Sequence, residues 1–215
     1  EFALKQNITF VSPHSASRNI SNQNPFYIQT NPSLKSHCES IAAHVQAKYK
    51  REEVVLIARD IAEEKERVTY IQDANYVLTS GRDTVGFDEY IVNDQTADFH
   101  ELDVLPYIRP GETTVFVIPS YRNETFIYSI LRQIALSKTE EDRVIVYGLQ
   151  PWMSYERVDF DFFENLNVHV SSGSFVDDFD PGTQLLKRQY FEEYGMPPES
   201  EVFTGYDILL YCGRM

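Results

Sequence analysis

The feature that most constrains this chain is a set of short, uninterrupted apolar runs separated by stretches of helical period. Val54-Val55-Leu56-Ile57-Ala58 is apolar at every position and bounded by charged residues. Strands with both faces covered read this way, whereas half-exposed strands alternate. Thr114–Ile118 and Arg143–Tyr147 are further strands of this buried type, Phe87–Val92 is a strand with less regular patterning, and Val168–Ser171 is a fifth. Between them lie helical patterns. Leu34, Cys38, Ile41, Ala42, Val45 and Tyr49 mark a helix over about 33–50, behind Pro32. A second runs from about Glu63 to Thr79 and stops at Ser80-Gly81. Asn123 caps a third, with Phe126, Ile127, Ile130, Leu131 and Ile134 on one face. Strand–helix alternation of this length requires parallel pairing. The expected fold is therefore α/β: a doubly wound, three-layer α/β/α domain with a mainly parallel sheet.

Other elements are read with the same rules. Ile8–Val11 and Phe26–Thr30 are short extended runs, with a polar stretch over 15–24 between them. Asp98 followed by Glu101 is a capping box predicting a helix to about Tyr107. Val158–Leu166 predicts a short helix. Leu185, Leu186, Gln189, Tyr190 and Tyr194 predict one that ends at Gly195, and a last helix begins near Val202. No repeat or low-complexity tract interrupts the chain.

Charge narrows the function classes. Lys plus Arg total 19 against 33 Asp plus Glu, a formal net charge of −14. Such a field repels phosphate backbones, so no nucleic-acid partner is expected. At 42% apolar the chain has ample material for a core. No run approaches the ~18 apolar residues of a membrane span. Cys38 and Cys212 are the two cysteines. Both read as unpaired, buried, small hydrophobes on helices. The chain begins at Glu1 and stops at Met215 in an apolar stretch, which reads as a piece of a longer protein, a naturally short C-terminus being the alternative.

The common nucleotide and hydrolase signatures are missing. There is no G-x-G-x-x-G, no G-x-x-x-x-G-K-[ST], no H-E-x-x-H and no G-x-S-x-G. The expectation is a binding scaffold without cofactor or metal, not an enzyme. His37, Cys38 and His44 share one helix, but a seven-residue spacing is wrong for ligands one turn apart. Asp177, Asp178 and Asp180 read as a solvated loop leading into a helix, and His100, Glu101 and Asp103 lack a neighbouring nucleophile. Asn7, Asn19 and Asn123 open N-glycosylation sequons, a pattern common by chance.

Ligands of open α/β sheets bind at the carboxyl ends of the strands. That rule selects Asp60, Asn93-Asp94, Tyr121-Arg122 and Gln150-Pro151-Trp152. The candidate ligand-binding set is thus Asp60, Asn93, Tyr121, Arg122, Gln150 and Trp152. Arg122 offers a fork for a carboxylate, and Trp152 and Tyr121 offer flat contact area.

Three passages carry a resemblance. Residues 8–31 read I-T-F-V-S-P-H-S-A-S-R-N-I-S-N-Q-N-P-F-Y-I-Q-T-N; Ala47, Tyr49, Lys50 and Val54 to Ile57 follow; and Ser174-Phe175, Asp180-Pro181, Phe191, Tyr194-Gly195 and Gly205-Tyr206-Asp207 close the pattern. Together they resemble type I periplasmic binding proteins of the branched-chain amino acid receptor family. The resemblance implies two doubly wound lobes clamping a ligand. This chain would hold mostly the second lobe, over 33–215, preceded by a segment over 1–32 crossing from the first. It also implies a periplasmic or cell-envelope location. The family's ligand residues are largely replaced: its threonine falls at Ala16, its Tyr-Gly has no counterpart over 60–67, and its acid falls at Gln150 or Pro151. Tyr121 keeps a family-like aromatic. The chain is similar, in this respect, to non-transport envelope members that follow LysM repeats. The partners implied are a small polar ligand (amino acid, peptide or cell-wall fragment) or, alternatively, an envelope protein docked without any small molecule.

Overall fold

The computed structural model describes residues 2–16, 24–93, 96 and 98–214. The chain divides into two compact units, one formed by residues 34–172 and the other by 1–33 with 173–215.

The unit over 34–172 is built on five parallel strands. Numbered along the whole chain they are β3 (Val54–Arg59), β4 (Asp88–Val92), β5 (Thr113–Val117), β6 (Arg143–Leu149) and β7 (Val168–Ser171). Their order across the sheet is β4-β3-β5-β6-β7. In register, Arg59 pairs with Val92, Leu56 with Val117, and Val117 with Tyr147. All five predicted strands are present, and every pairing among them is parallel.

Alternate side chains of each strand enter two separate cores, which makes the unit three-layered. On one face Val54, Leu56, Val115, Val117 and Ile145 pack with Cys38, Ile41 and Val45 of α2 (Leu34–Lys48) and with Val68 and Ile71 of α3 (Ala62–Leu78). On the other face Val55, Ile57, Phe116, Val144 and Val146 pack with Phe126, Ile127, Ile130 and Ile134 of α4 (Glu124–Ser137). Leu166, just past the short α5 (Phe160–Asn165), closes that face. Asn123 caps α4 as expected, its side-chain oxygen accepting from the Phe126 N–H at 2.9 Å.

The predicted helix from Asp98 to Tyr107 is not formed. Phe99, Leu102, Val104 and Ile108 are all buried, a spacing that no single helix face provides. Core burial overrides the capping box, and only Leu105–Tyr107 makes a helical turn. Phe99 takes a positive φ of 53° in the process.

The other unit contains α1 (Phe2–Gln6), a parallel pair of β1 (Phe10–Ser12) and β2 (Tyr27–Gln29), α6 (Pro181–Tyr194) and α7 (Ser200–Arg214). Asp180 caps α6 at Thr183 N, and Gly195 ends it at φ 71°. Neither α6 nor α7 buries a residue, and Phe191, Tyr206, Leu209 and Tyr211 are exposed. The expectation for the cysteines is half corrected here: both are free, but Cys212 is exposed on α7 while Cys38 is buried. The Asn19 sequon and Asp94 lie outside the described residues. Among the described residues no helix is long and apolar enough to cross a membrane, and no three His, Cys, Asp or Glu side chains group to hold a metal.

Candidate functional site

In a doubly wound sheet the crevice opens where strand order reverses. Here β3 is followed by α3 and then by β4 on one side, whereas β5 lies on the other side and is followed by α4 on the opposite face. The switch point therefore lies between the carboxyl ends of β3 and β5. Five of the six residues selected from sequence are distributed along this edge with exposed or half-exposed side chains.

At β3 and β4, the Asp60 N–H donates to the Val92 carbonyl at 2.9 Å, setting Asp60 beside Asn93. Both side chains are exposed, and the Asp60 carboxylate pairs with Lys65. At β5, the half-buried Tyr121 ring carries two guanidinium groups, Arg67 at 4.7 Å and Arg122 at 5.7 Å from its centroid. Its carbonyl accepts from the Tyr155 hydroxyl. Arg122 is exposed and makes no ion pair among the described residues. Gln150 is exposed at the start of the helical turn Gln150–Ser154 that follows β6.

Trp152 is different. It is fully buried in the core on the α4 face, and its indole N–H donates to the Ser120 carbonyl at 2.7 Å. No face of the ring is free to stack a ligand. A large aromatic side chain buries area most effectively in the core, and the sheet leaves room for it over Gly148. Trp152 shapes the edge by holding the β5 loop. Ala16 is exposed in the other unit.

A buried polar network beneath the edge escaped the sequence reading. Glu64 is fully buried. Its carboxylate accepts from Arg59 Nε at 2.8 Å, from the Arg59 N–H at 2.8 Å and from the Ser120 hydroxyl at 2.5 Å. Arg67, only 4% exposed, donates to the Pro119 carbonyl at 2.9 Å, while its Nε has no partner. The network ties the end of β3, the first turns of α3 and the β5 loop into one rigid frame. Its signal is visible in the sequence: Glu64, Arg67, Val68, Ile71 and Asn75 form the buried stripe of α3, so two charges sit where helical period demands apolar residues. Buried charges of this kind need specific partners.

Along the edge the charges are Arg59, Arg67 and Arg122 against Glu64, with Asp60 and Lys65 paired. In a chain of net charge −14 this is a local positive region. It can orient a carboxylate or another anionic group through charge-assisted hydrogen bonds.

Comparison with solved structures matches this architecture. The fold is that of ABC-transporter substrate-binding proteins. A Desulfitobacterium hafniense substrate-binding protein superposes with a TM-score of 0.61 at 17% identity, over 97% of this chain and 57% of its own. A Rhodospirillum rubrum protein assigned to branched-chain amino acid ABC transport gives 0.60 at 15%, over 95% and 56%. A D. hafniense substrate-binding protein structure in complex with Leu gives 0.57 at 14%, over 97% and 57%. The chain thus spans a little over half the length of these structures. No family profile matches the chain, and no curated protein sequence does.

Proposed function

We propose that this chain is the ligand-binding part of a periplasmic or cell-envelope protein, taking a small polar ligand at the carboxyl edge of its sheet. The observation that carries the reading is the arrangement at the switch point: Arg67 and Arg122 both against the Tyr121 ring, on a frame fixed by Glu64, Arg59 and Ser120. A rigid edge with exposed, unpaired donors is what binding without large reorganisation needs. The chemistry is non-catalytic: positioned donors and a flat ring.

The ligand class is an amino acid, a short peptide or a cell-wall fragment with a free carboxylate. Leucine is bound by one of the proteins of similar fold and belongs in the test set. The replaced residues at Ala16 and Gln150 favour an envelope protein outside transport, of the kind joined to LysM repeats, over a dedicated leucine carrier. The second reading, an interaction module that docks another envelope protein, rests on the exposed aromatic residues of α6 and α7.

Isothermal titration of the chain with L-leucine, L-alanyl-D-glutamate and a muramyl dipeptide tests the assignment. Binding of one of them, weakened about tenfold by Arg122→Ala through loss of a charge-assisted bond, is the expected result. Binding unaffected by Arg122→Ala and by Asn93→Ala would overturn the site. No binding by any probe would favour the docking module.

A further inference from the structure

A second cavity lies away from the switch point, between α2 and the edge strand β7. It measures about 250 Å³ and is lined by Ser40, Ile41 and His44 of α2, Tyr147 of β6, and His169, Val170 and Ser171 of β7. Tyr147 forms its floor. The His169 ring stacks on Tyr147 at 5.0 Å with an interplanar angle of 18°, and the His44 ring tilts against the same phenol at 5.6 Å. His37, one turn before Ser40 on α2, lies outside the lining, and its Nδ1 shares a 2.8 Å hydrogen bond with the Ser171 hydroxyl. Neither the His44 ring nor the His169 ring forms a hydrogen bond among the described residues, so each has one N–H to offer when neutral and two when protonated.

The charged and titratable groups around this cavity are nearly all of one kind. From α2 they are His37, His44 and Lys48; just past it, Tyr49, bonded to the Tyr147 hydroxyl at 3.3 Å; from β6, Tyr147; from β7, His169. No carboxylate lines the cavity. Burial holds both His44 and His169 below the ordinary imidazole range, with the Lys48 ammonium adding to it at His44, and His44 and then Lys48 adding to it at His169. In a chain with 14 more acidic than basic residues, a cavity whose polar lining is two imidazoles and three hydroxyls, with apolar walls from Ile41 and Val170, has a specific complement. An oxyanion would accept from the rings and hydroxyls and would relieve the repulsion among the cations.

We propose that the groove between α2 and β7 is an oxyanion site, which holds a phosphate or carboxylate group with His44, His169, Ser40 and Ser171. The volume accommodates a group of that size with its remaining water. Occupation favours the protonated rings, so by linkage the site binds more tightly as the pH falls below neutrality.

The test is imidazole NMR of the 215-residue chain, which has five histidines. Inorganic phosphate and, separately, acetate are titrated at constant ionic strength with chloride, at pH 5.5 and pH 8. The expected result is a saturable shift of the His44 and His169 signals, with His14 and His100 unmoved. Their pKa values rise with the bound anion, and affinity is about fivefold or more tighter at pH 5.5, since a bond from a charged donor outweighs one from a neutral donor. A response to phosphate alone assigns a phosphoryl group, and a response to both assigns the broader oxyanion class. His169→Gln should weaken the binding, and His44→Gln should do so independently. Equal shifts at all five histidines, a response that never saturates, or unchanged binding in both variants would overturn the proposal. Arg122→Ala should leave this site unaltered, which separates its fate from that of the switch-point site.

Discussion

The ring of Trp152 lies directly over the Cα of Gly148. A side-chain carbon at 148 would meet three atoms of the indole closer than van der Waals contact permits. The glycine is the next-to-last residue of β6, within its buried run, and its φ is not positive. Its function is space. The indole occupies that space while its N–H holds the Ser120 carbonyl.

Gly148→Ala is therefore expected to destabilise the unit by about 1–3 kcal/mol through overpacking. Urea denaturation followed by far-UV circular dichroism measures it. The double variant Gly148→Ala with Trp152→Leu should lose less than the sum of the two single variants, because the smaller side chain removes the clash. Strict additivity would show that the two residues are not in contact.

Glu64 is the second test of the frame. Replacing it with Ala strands Arg59 and the Ser120 hydroxyl without their acceptor. Breaking a buried pair from one side costs about 3–5 kcal/mol. Glu64→Gln keeps one acceptor oxygen and should cost less. The discriminating measurement is the midpoint of guanidinium denaturation. Equal midpoints for wild type and Glu64→Ala would mean the network contributes nothing.

The sheet was legible because burial on both faces leaves a direct mark, a run such as Val54–Ala58 with no polar gap. Edge positions of the candidate site were legible for a related reason: Asp60, Asn93, Tyr121, Arg122 and Gln150 each come just after a predicted strand. Their number along the chain locates them without any knowledge of packing. The frame beneath was harder to read. Glu64 and Arg67 look like ordinary surface charges until Val68, Ile71 and Asn75 are placed on the same stripe. Trp152 was misleading because an aromatic residue after a strand has the same sequence context whether it faces solvent or core. What decided it was Gly148, four positions earlier, whose missing side chain makes the room. The Asp98 capping box failed because a local signal worth about 1 kcal/mol competed with burial of Phe99, Leu102, Val104 and Ile108. The histidines of α2 were too far apart for one another, and only the β6–β7 pairing brings His169 to them.

The thiols should separate cleanly. Burial, the dominant influence, pushes the Cys38 thiol up to about 12, so it remains protonated and enclosed under native conditions. Cys212 is exposed on α7. At pH 8 a disulfide reagent such as DTNB should label one thiol per native chain quickly, and the second only on unfolding. Mass spectrometry of the labelled peptide should find Cys212. Fast labelling of both thiols would mean that α2 does not pack as described.

Acid should weaken the unit in two stages of different origin. His37, His44 and His169 are all held below the ordinary imidazole range, chiefly by burial. A base with a lowered pKa binds fewer protons folded than unfolded. Its neutral form is compatible with the fold above about pH 6.5, and stability falls as the pH drops from there through the folded-state values. Asp142 acts lower down. Hydrogen bonds from the Thr139 N–H, the Gly111 N–H and the Thr139 hydroxyl hold its carboxyl below the ordinary range. That contribution is present above about pH 4 and is lost as the pH falls through the folded value. Denaturation midpoints measured from pH 8 to pH 3 in chloride buffers should show both slopes. His37→Asn and His169→Gln should flatten the upper one, and Asp142→Asn the lower one. Adding phosphate at pH 5.5 should restore part of the upper loss in wild type and not in His169→Gln. An upper slope that survives both histidine substitutions would have to come from groups outside the groove.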